Sequence, residues 1–167
     1  GDLLDFSNLR EIRCHATTLD RWLDGVLDEQ TLPQGVALIR RLDTGAESLD
    51  FDPALMRRVI ENVIENAGQA VSGAAAPLKQ ITVASRMVAG HAEISIADTG
   101  VGIPAAILSK VFEPLFSTRN FGTGLGLAVS KQIIEQHGGS ITIESAEGKG
   151  TIVRLRLPLQ PAAAAAA

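Results

Sequence analysis

The chain of 167 residues has a single cysteine, no long apolar run and no surplus of basic charge. Each absence removes a class of function. Cys14 alone cannot close an intramolecular disulfide and has no CxxC partner for zinc, so the chain reads as one made for a reducing cytoplasm. Although 46% of the residues are apolar, no stretch approaches the roughly 18–20 residues needed to span a bilayer, and no secretory signal precedes the first element. A net charge of −4 with scattered Lys and Arg disfavours a nucleic-acid or anionic-membrane surface. The length suits one domain with one core. The closing "PLQPAAAAAA" carries no functional signal.

The familiar phosphate loops are missing too. The stretch "FGTGLGLAVSKQ" (121–132) is rich in glycine and opens a helix, yet no Lys follows its last glycine as the Walker pattern requires. Gly148-Lys149 has Ile143 where that pattern needs its first glycine. A dinucleotide fingerprint would need a third glycine where Leu127 stands, and a strand where "FEPLFSTRNF" stands. By itself the glycine run fits a flexible loop before a helix as well as a phosphate cradle.

What is present is a run of short elements. Leu3, Leu4, Phe6, Leu9 and Ile12 fall at helical spacing, as in the end of a longer helix. A short strand is expected at 15–18, followed by a helix capped by Asp20 and running to about Asp28. Strands follow at 35–42 and 48–52. Asp52 and Pro53 then give the strongest helix start in the chain, with apolar residues recurring through Val71. "KQITVASRMV" and "HAEISIAD" alternate around Ala89-Gly90 and predict an antiparallel hairpin. The segment 99–123 reads as mostly irregular. A helix from Gly124 to about His137 stops at Gly138-Gly139, and a last hairpin turns at "AEGKG". These elements predict an α+β two-layer sandwich, a mixed, mostly antiparallel sheet covered on one face by about three helices.

Two polar features stand out against this apolar frame. Asn62, Asn66 and Gln69, at i, i+4 and i+7, form one narrow strip beside Val59, Val63, Ala67 and Ala70. Amides at the edge of a core are costly unless satisfied. Backbone partners would satisfy them, as would a hard cation such as Mg²⁺ that keeps water and phosphate oxygens as its other ligands. In "IADTGVGI" (96–103) an apolar strand delivers Asp98 into Gly100 and Gly102. Such a carboxylate can receive an exocyclic amine, as adenine offers, while the glycines admit a flat ring. An Asp-Thr-Gly turn bonded to itself is the alternative.

In this order the segments "ENVIENA", "DTGVGI", "FEPLFST", "GTGLGLA" and "GKGT" resemble the N, G1, F, G2 and G3 boxes of the catalytic and ATP-binding domain of bacterial sensor histidine kinases. These share the Bergerat ATP-binding fold with gyrase B, the mismatch-repair ATPases and the heat-shock chaperone ATPases. The boxes span 61–151, and "LLDFSNLREIR" resembles the end of the preceding dimerisation and histidine-phosphotransfer helix. The resemblance thus divides the chain into that helix end (1–14), a catalytic ATP-binding domain (15–160) and an Ala-rich tail (161–167).

The resemblance implies ATP and Mg²⁺ as cofactors, with Asn66 the metal ligand and Asn62 beside metal and phosphates. Asp98 would read adenine, with Gly100, Gly102, Ile103 and Thr151 around the base. Thr118, Gly122, Thr123, Gly124, Leu125, Gly126 and Leu127 would form the lid and the phosphate end, where helix N-terminal N–H groups favour anions. Phe112 and Phe116 match the F box, either as packing or as a docking contact for the phosphoacceptor domain. Two departures alter the phosphate contacts. Gln69 stands where many relatives carry a basic residue, and Arg119 stands where Lys is frequent, with reach to the γ-phosphate but a different geometry. The lid is short.

In the hydrolases of the superfamily, a glutamate one turn before the metal asparagine activates water. Here that position is Asn62, whose amide cannot take a proton near neutral pH. Glu61 and Glu65 point away from it and are expected on the solvent side. The resemblance therefore implies a protein kinase, with Asn62, Asn66 and Arg119 as its catalytic residues. Its nucleophile would be a histidine on the dimerisation domain, and the next acceptor a response regulator. His15, His91 and His137 match no phosphoacceptor helix, and His137 is expected to complement a helix dipole. The full protein would be a homodimer and this piece a monomer, in the cytoplasm or the cytoplasmic part of a membrane sensor. An anti-sigma-factor-like serine kinase of the same superfamily is the alternative; a nucleotide-binding scaffold without transfer is a third.

Overall fold

The computed structural model describes residues 11–45, 47–75, 78–113 and 124–159. Its elements are β1 (His15–Thr18), α1 (Leu19–Asp28), β2 (Ala37–Asp43), β3 (Ser48–Phe51), α2 (Pro53–Ser72), β4 (Gln80–Val88), β5 (His91–Asp98), α3 (Ala105–Leu108), α4 (Gly124–Gln136), β6 (Ser140–Ser145) and β7 (Thr151–Pro158). A five-stranded sheet runs in the order β2-β4-β5-β7-β6, while β1 and β3 pair separately. Only β2 and β4 are parallel; the other pairs are antiparallel. The mixed sheet and the α+β class agree with the sequence reading.

The longest helix forms where the sequence concentrates its signals. The Asp52 carboxylate accepts from the N–H groups of Ala54 and Leu55, and Pro53 opens the first turn without a donor to waste. Leu55, Met56, Val59, Ile60, Val63 and Ile64 are then buried against the sheet. From the sheet side, Ala92, Ile94 and Ile96 of β5 alternate inward, with Val153 and Leu155 of β7 beside them. The hairpin turn is tight, with Ala89 at φ 42° and Gly90 at φ 83°, the pair of positive angles that a two-residue connection requires.

Two expectations change. Thr18, not Asp20, is the N-cap of α1. The Asp20 carboxylate accepts instead from Thr44 N–H at 2.8 Å, Thr44 O–H at 2.5 Å, Gly45 N–H at 3.0 Å and Ser85 O–H at 2.6 Å. Four donors from β4 and the end of β2 outbid the helix's own N–H groups. Burial pushes this carboxyl up, but the hydrogen bonds outweigh it and hold it below the usual range. The second change is α3, a single turn after Pro104 in a segment expected to be irregular. No helix among the described residues is long and apolar enough to cross a membrane.

Candidate functional site

The sheet register creates the site. Asp98 is the last residue of β5 and pairs with Thr151, the first of β7, on the inward face that continues Ile96–Val153 and Ile94–Leu155. Where the apolar pairs end, a carboxylate and a hydroxyl begin. They line a cleft of about 450 Å³ whose opposite wall is α2, through Val63, Asn66, Ala67 and Ala70, with Leu127 of α4 beside it.

Asp98 is held by Gly100 N–H at 2.8 Å and by the Thr151 N–H. Burial nevertheless dominates and pushes its carboxyl up to about 6, against the lowering effect of those two donors. A carboxylate kept in an apolar cleft and still short of donors is a receptor for a ligand's N–H. The nearby glycines serve a different end from the one their sequence suggested. A Cβ on Gly100 would lie 2.6 Å from the backbone carbon of Ala70, one on Gly102 only 2.0 Å from the Ala146 oxygen, and one on Gly150 only 2.1 Å from the Asp98 oxygen. They let the 99–103 loop be pressed between α2 and the β6–β7 turn. Val101 N–H donates to Ala70 at 3.2 Å, and Gly148 N–H donates to Val101 at 2.7 Å. Gly102 and Ile103 line the cleft; Gly100 braces it from behind.

Asn66 reaches the cleft, and its buried Nδ2 meets no acceptor of the protein. Asn62 and Gln69 face a second, larger cavity on the outer flank of α2, closed on its other side by the 30–33 loop, where Pro33 packs on Gly68. The strip read from the sequence is therefore split by the helix rim, with Gln69 exposed. Glu65 is exposed and Glu61 lies 3.4 Å from Arg57, both turned from the cleft. Phe112 packs under α4, with the Lys131 ammonium 5.4 Å from its ring centroid. Gly124, Leu125 and Gly126 form the first turn of α4. Thr118, Arg119, Gly122 and Thr123, with Phe116, lie outside the described residues. So do most of the 1–14 helix end and the Ala-rich tail.

His137 is corrected. It is 1% exposed, its Nε2 accepts the Asp52 N–H at 3.0 Å, and its Nδ1–H donates to the Ile133 carbonyl at 2.8 Å. Burial holds its pKa below the usual value. A neutral, doubly bonded imidazole is a structural tie and does not complement a dipole. Sequence reasoning missed Ser145, which joins the Ile103 N–H to the β6–β7 turn, and the glycine requirement at Gly150.

A model of the histidine kinase-, DNA gyrase B-, and HSP90-like ATPase family matches residues 51–161. The chain belongs to this family. Within it, the sensor histidine kinase ZraS of Klebsiella oxytoca is 44% identical over 112 residues, 66% of this chain and 23% of ZraS. The signal transduction histidine-protein kinase AtoS of Escherichia coli K12 is 32% identical over 163 residues, 95% of this chain and 26% of AtoS. The chain thus spans about a quarter of the length of these relatives. The catalytic domain of histidine kinase ThkA has the same fold, with a TM-score of 0.76 at 25% identity over 89% of this chain and 99% of that one. ThkA solved in complex with the response regulator TrrA gives a TM-score of 0.77 at 23% identity, over 96% of this chain and 46% of that one. The cleft is accordingly the ATP site of a family ATPase domain, and its relatives are ATP-dependent histidine kinases.

Proposed function

We propose that this chain is the ATP-binding catalytic domain of a two-component sensor histidine kinase, which transfers the γ-phosphoryl of Mg·ATP to a histidine on a separate dimerisation and phosphotransfer domain. The observation that carries the reading is the buried Asp98 carboxylate facing an apolar cleft across from Asn66. Asp98 accepts the exocyclic amine of adenine, and Ile103 and Leu127 cover the ring. The first turn of α4 offers backbone N–H groups to the phosphates. Arg119 reaches the γ-phosphate, and Asn62 and Gln69 bound the phosphate end from the outer flank of α2.

The residues fit Mg²⁺. The amide of Asn66 has a neutral carbonyl oxygen, the hard donor that Mg²⁺ combines with phosphate oxygens and water, and its orphaned N–H finds its acceptor on a phosphate. When bound, the ion neutralises charge on the transferring phosphoryl group. Asn62 cannot act as a base toward water, which keeps ATP for the protein acceptor. Residues 1–14 are then the end of the dimerisation helix, 15–160 the catalytic unit, and a response regulator aspartate the next acceptor, all in the cytoplasm.

The test mixes the chain with labelled ATP and a separately made dimerisation domain. Acid-labile label on the histidine of that domain is expected; acid-stable label on serine overturns the reading.

A further inference from the structure

Ser145, at the end of β6, joins the two loops that frame the cleft at Asp98. Its Oγ receives the Ile103 N–H at 2.8 Å, lies 2.9 Å from the Gly150 carbonyl oxygen and lies 2.8 Å from Oγ1 of Thr151. Counting protons settles the direction of the last contact. A serine hydroxyl has one proton and two lone pairs. The Gly150 carbonyl can only accept, so it takes the Ser145 proton. The Ile103 N–H occupies one lone pair. Only the other lone pair remains toward Thr151, so Thr151 must donate its own proton to Ser145. The Thr151 hydroxyl, which lines the cleft, is left with lone pairs alone. Its cross-strand neighbour Asp98 is likewise an acceptor.

We propose that Ser145 is a specificity-determining positioning residue of the nucleotide site. By taking the Thr151 proton it makes Asp98 and Thr151 an acceptor-only wall, which admits a base edge with an exocyclic amine and rejects one with an exocyclic oxygen. The inference rests on the nucleotide reading of the cleft. A 6-aminopurine brings N–H donors to such a wall, whereas a 6-oxopurine brings lone pairs against lone pairs. Without the Ser145 hydroxyl, Thr151 is free to rotate and donate, so the wall becomes permissive at one of its two positions. Asp98 still accepts, so the preference narrows but does not vanish.

The test compares calorimetric affinities for ATP and inosine triphosphate, with Mg²⁺ at pH 8, where Asp98 is ionised. Ser145→Ala should narrow the ATP preference by about tenfold, mainly through tighter inosine triphosphate, and Ser145→Thr, which keeps a hydroxyl, should restore it. In a Thr151→Val background, Ser145→Ala should leave the ratio unmoved. Equal losses for both nucleotides would make Ser145 a brace for the loops and overturn the proposal. If Ser145→Ala fails to fold, Thr151→Val alone must narrow the ratio, and an unchanged ratio is equally fatal. An unsubstituted chain that binds ATP but shows no preference overturns this proposal alone; one that binds neither nucleotide overturns the ATP reading with it.

Discussion

At one end of the cleft Asp98, Ser145 and Thr151 are tied to Gly100, Ile103 and Gly150 by a closed set of hydrogen bonds. At the other end Asn66 holds a buried amide nitrogen with no protein partner, while Gln69 is exposed on the rim of α2. The first end is preorganised: its donors and acceptors are fixed before a ligand arrives, so binding spends little on ordering. The second is incomplete by itself, and the ligand supplies what it lacks. A base-recognising end of the first kind and a metal-phosphate end of the second kind respond differently to substitution.

The largest effect is expected where the closed end is packed most tightly. Gly102 has φ +73° and the Ala146 oxygen 2.0 Å from any added Cβ. Gly102→Ala should therefore cost about 3 kcal/mol or more in urea denaturation. Gly25→Ala, in α1 with nothing within 4 Å of an added Cβ, should be neutral or stabilising by about 0.5–1 kcal/mol. Similar losses at both glycines would remove the distinction.

Next comes Asp98→Asn, which replaces an acceptor-only group by an amide. Calorimetry should show ATP affinity down by about a hundredfold, while the thermal midpoint holds or rises because a costly buried charge is gone. The pH dependence has a definite sign. The folded pKa of Asp98, about 6, lies above its ordinary value of 3.8, so its ionised form lowers stability above pH 6. That cost is relieved as pH falls from about 6 toward 3.8. ATP affinity should move the opposite way, level above pH 7 and weakening as pH falls through about 6. A pH-independent ATP affinity would separate Asp98 from base recognition.

The open end is tested by smaller effects. Asn66→Ala should remove most of the Mg²⁺-dependent gain in ATP affinity, about tenfold, and leave adenosine binding unchanged. An equal loss for adenosine would place Asn66 with the base. Smallest is Gln69→Lys, which returns a charge to an exposed position. It should tighten ATP about two- to fivefold in low salt and leave adenosine alone.

Much of this was legible in the sequence because the signals were local. Asp52-Pro53 fixed the start of α2 within a residue, and the alternation in 79–98 gave β4, β5 and the inward face that ends at Asp98. Thr151 was found only through the family resemblance, since nothing nearby in the sequence says that it pairs with Asp98. Asp20 misled for a related reason. An acid in a first turn is a good cap until a distant strand end brings it better donors, and Thr44 and Ser85 are far away along the chain. The glycines of "DTGVGI" were read against a ligand, whereas they meet Ala70 and Ala146. Ser145 gave no signal at all: a serine at a strand end is ordinary until its three neighbours are known.

Asp52 is more than a cap. Its carboxylate takes the Arg13 N–H at 2.8 Å as well as the head of α2, and its own N–H bonds His137 at the tail of α4. Both helices that wall the cleft are thus moored, at their ends remote from Asp98, to the residue that also receives the incoming chain. A load applied along residues 11–13 reaches the two walls together, at one fulcrum.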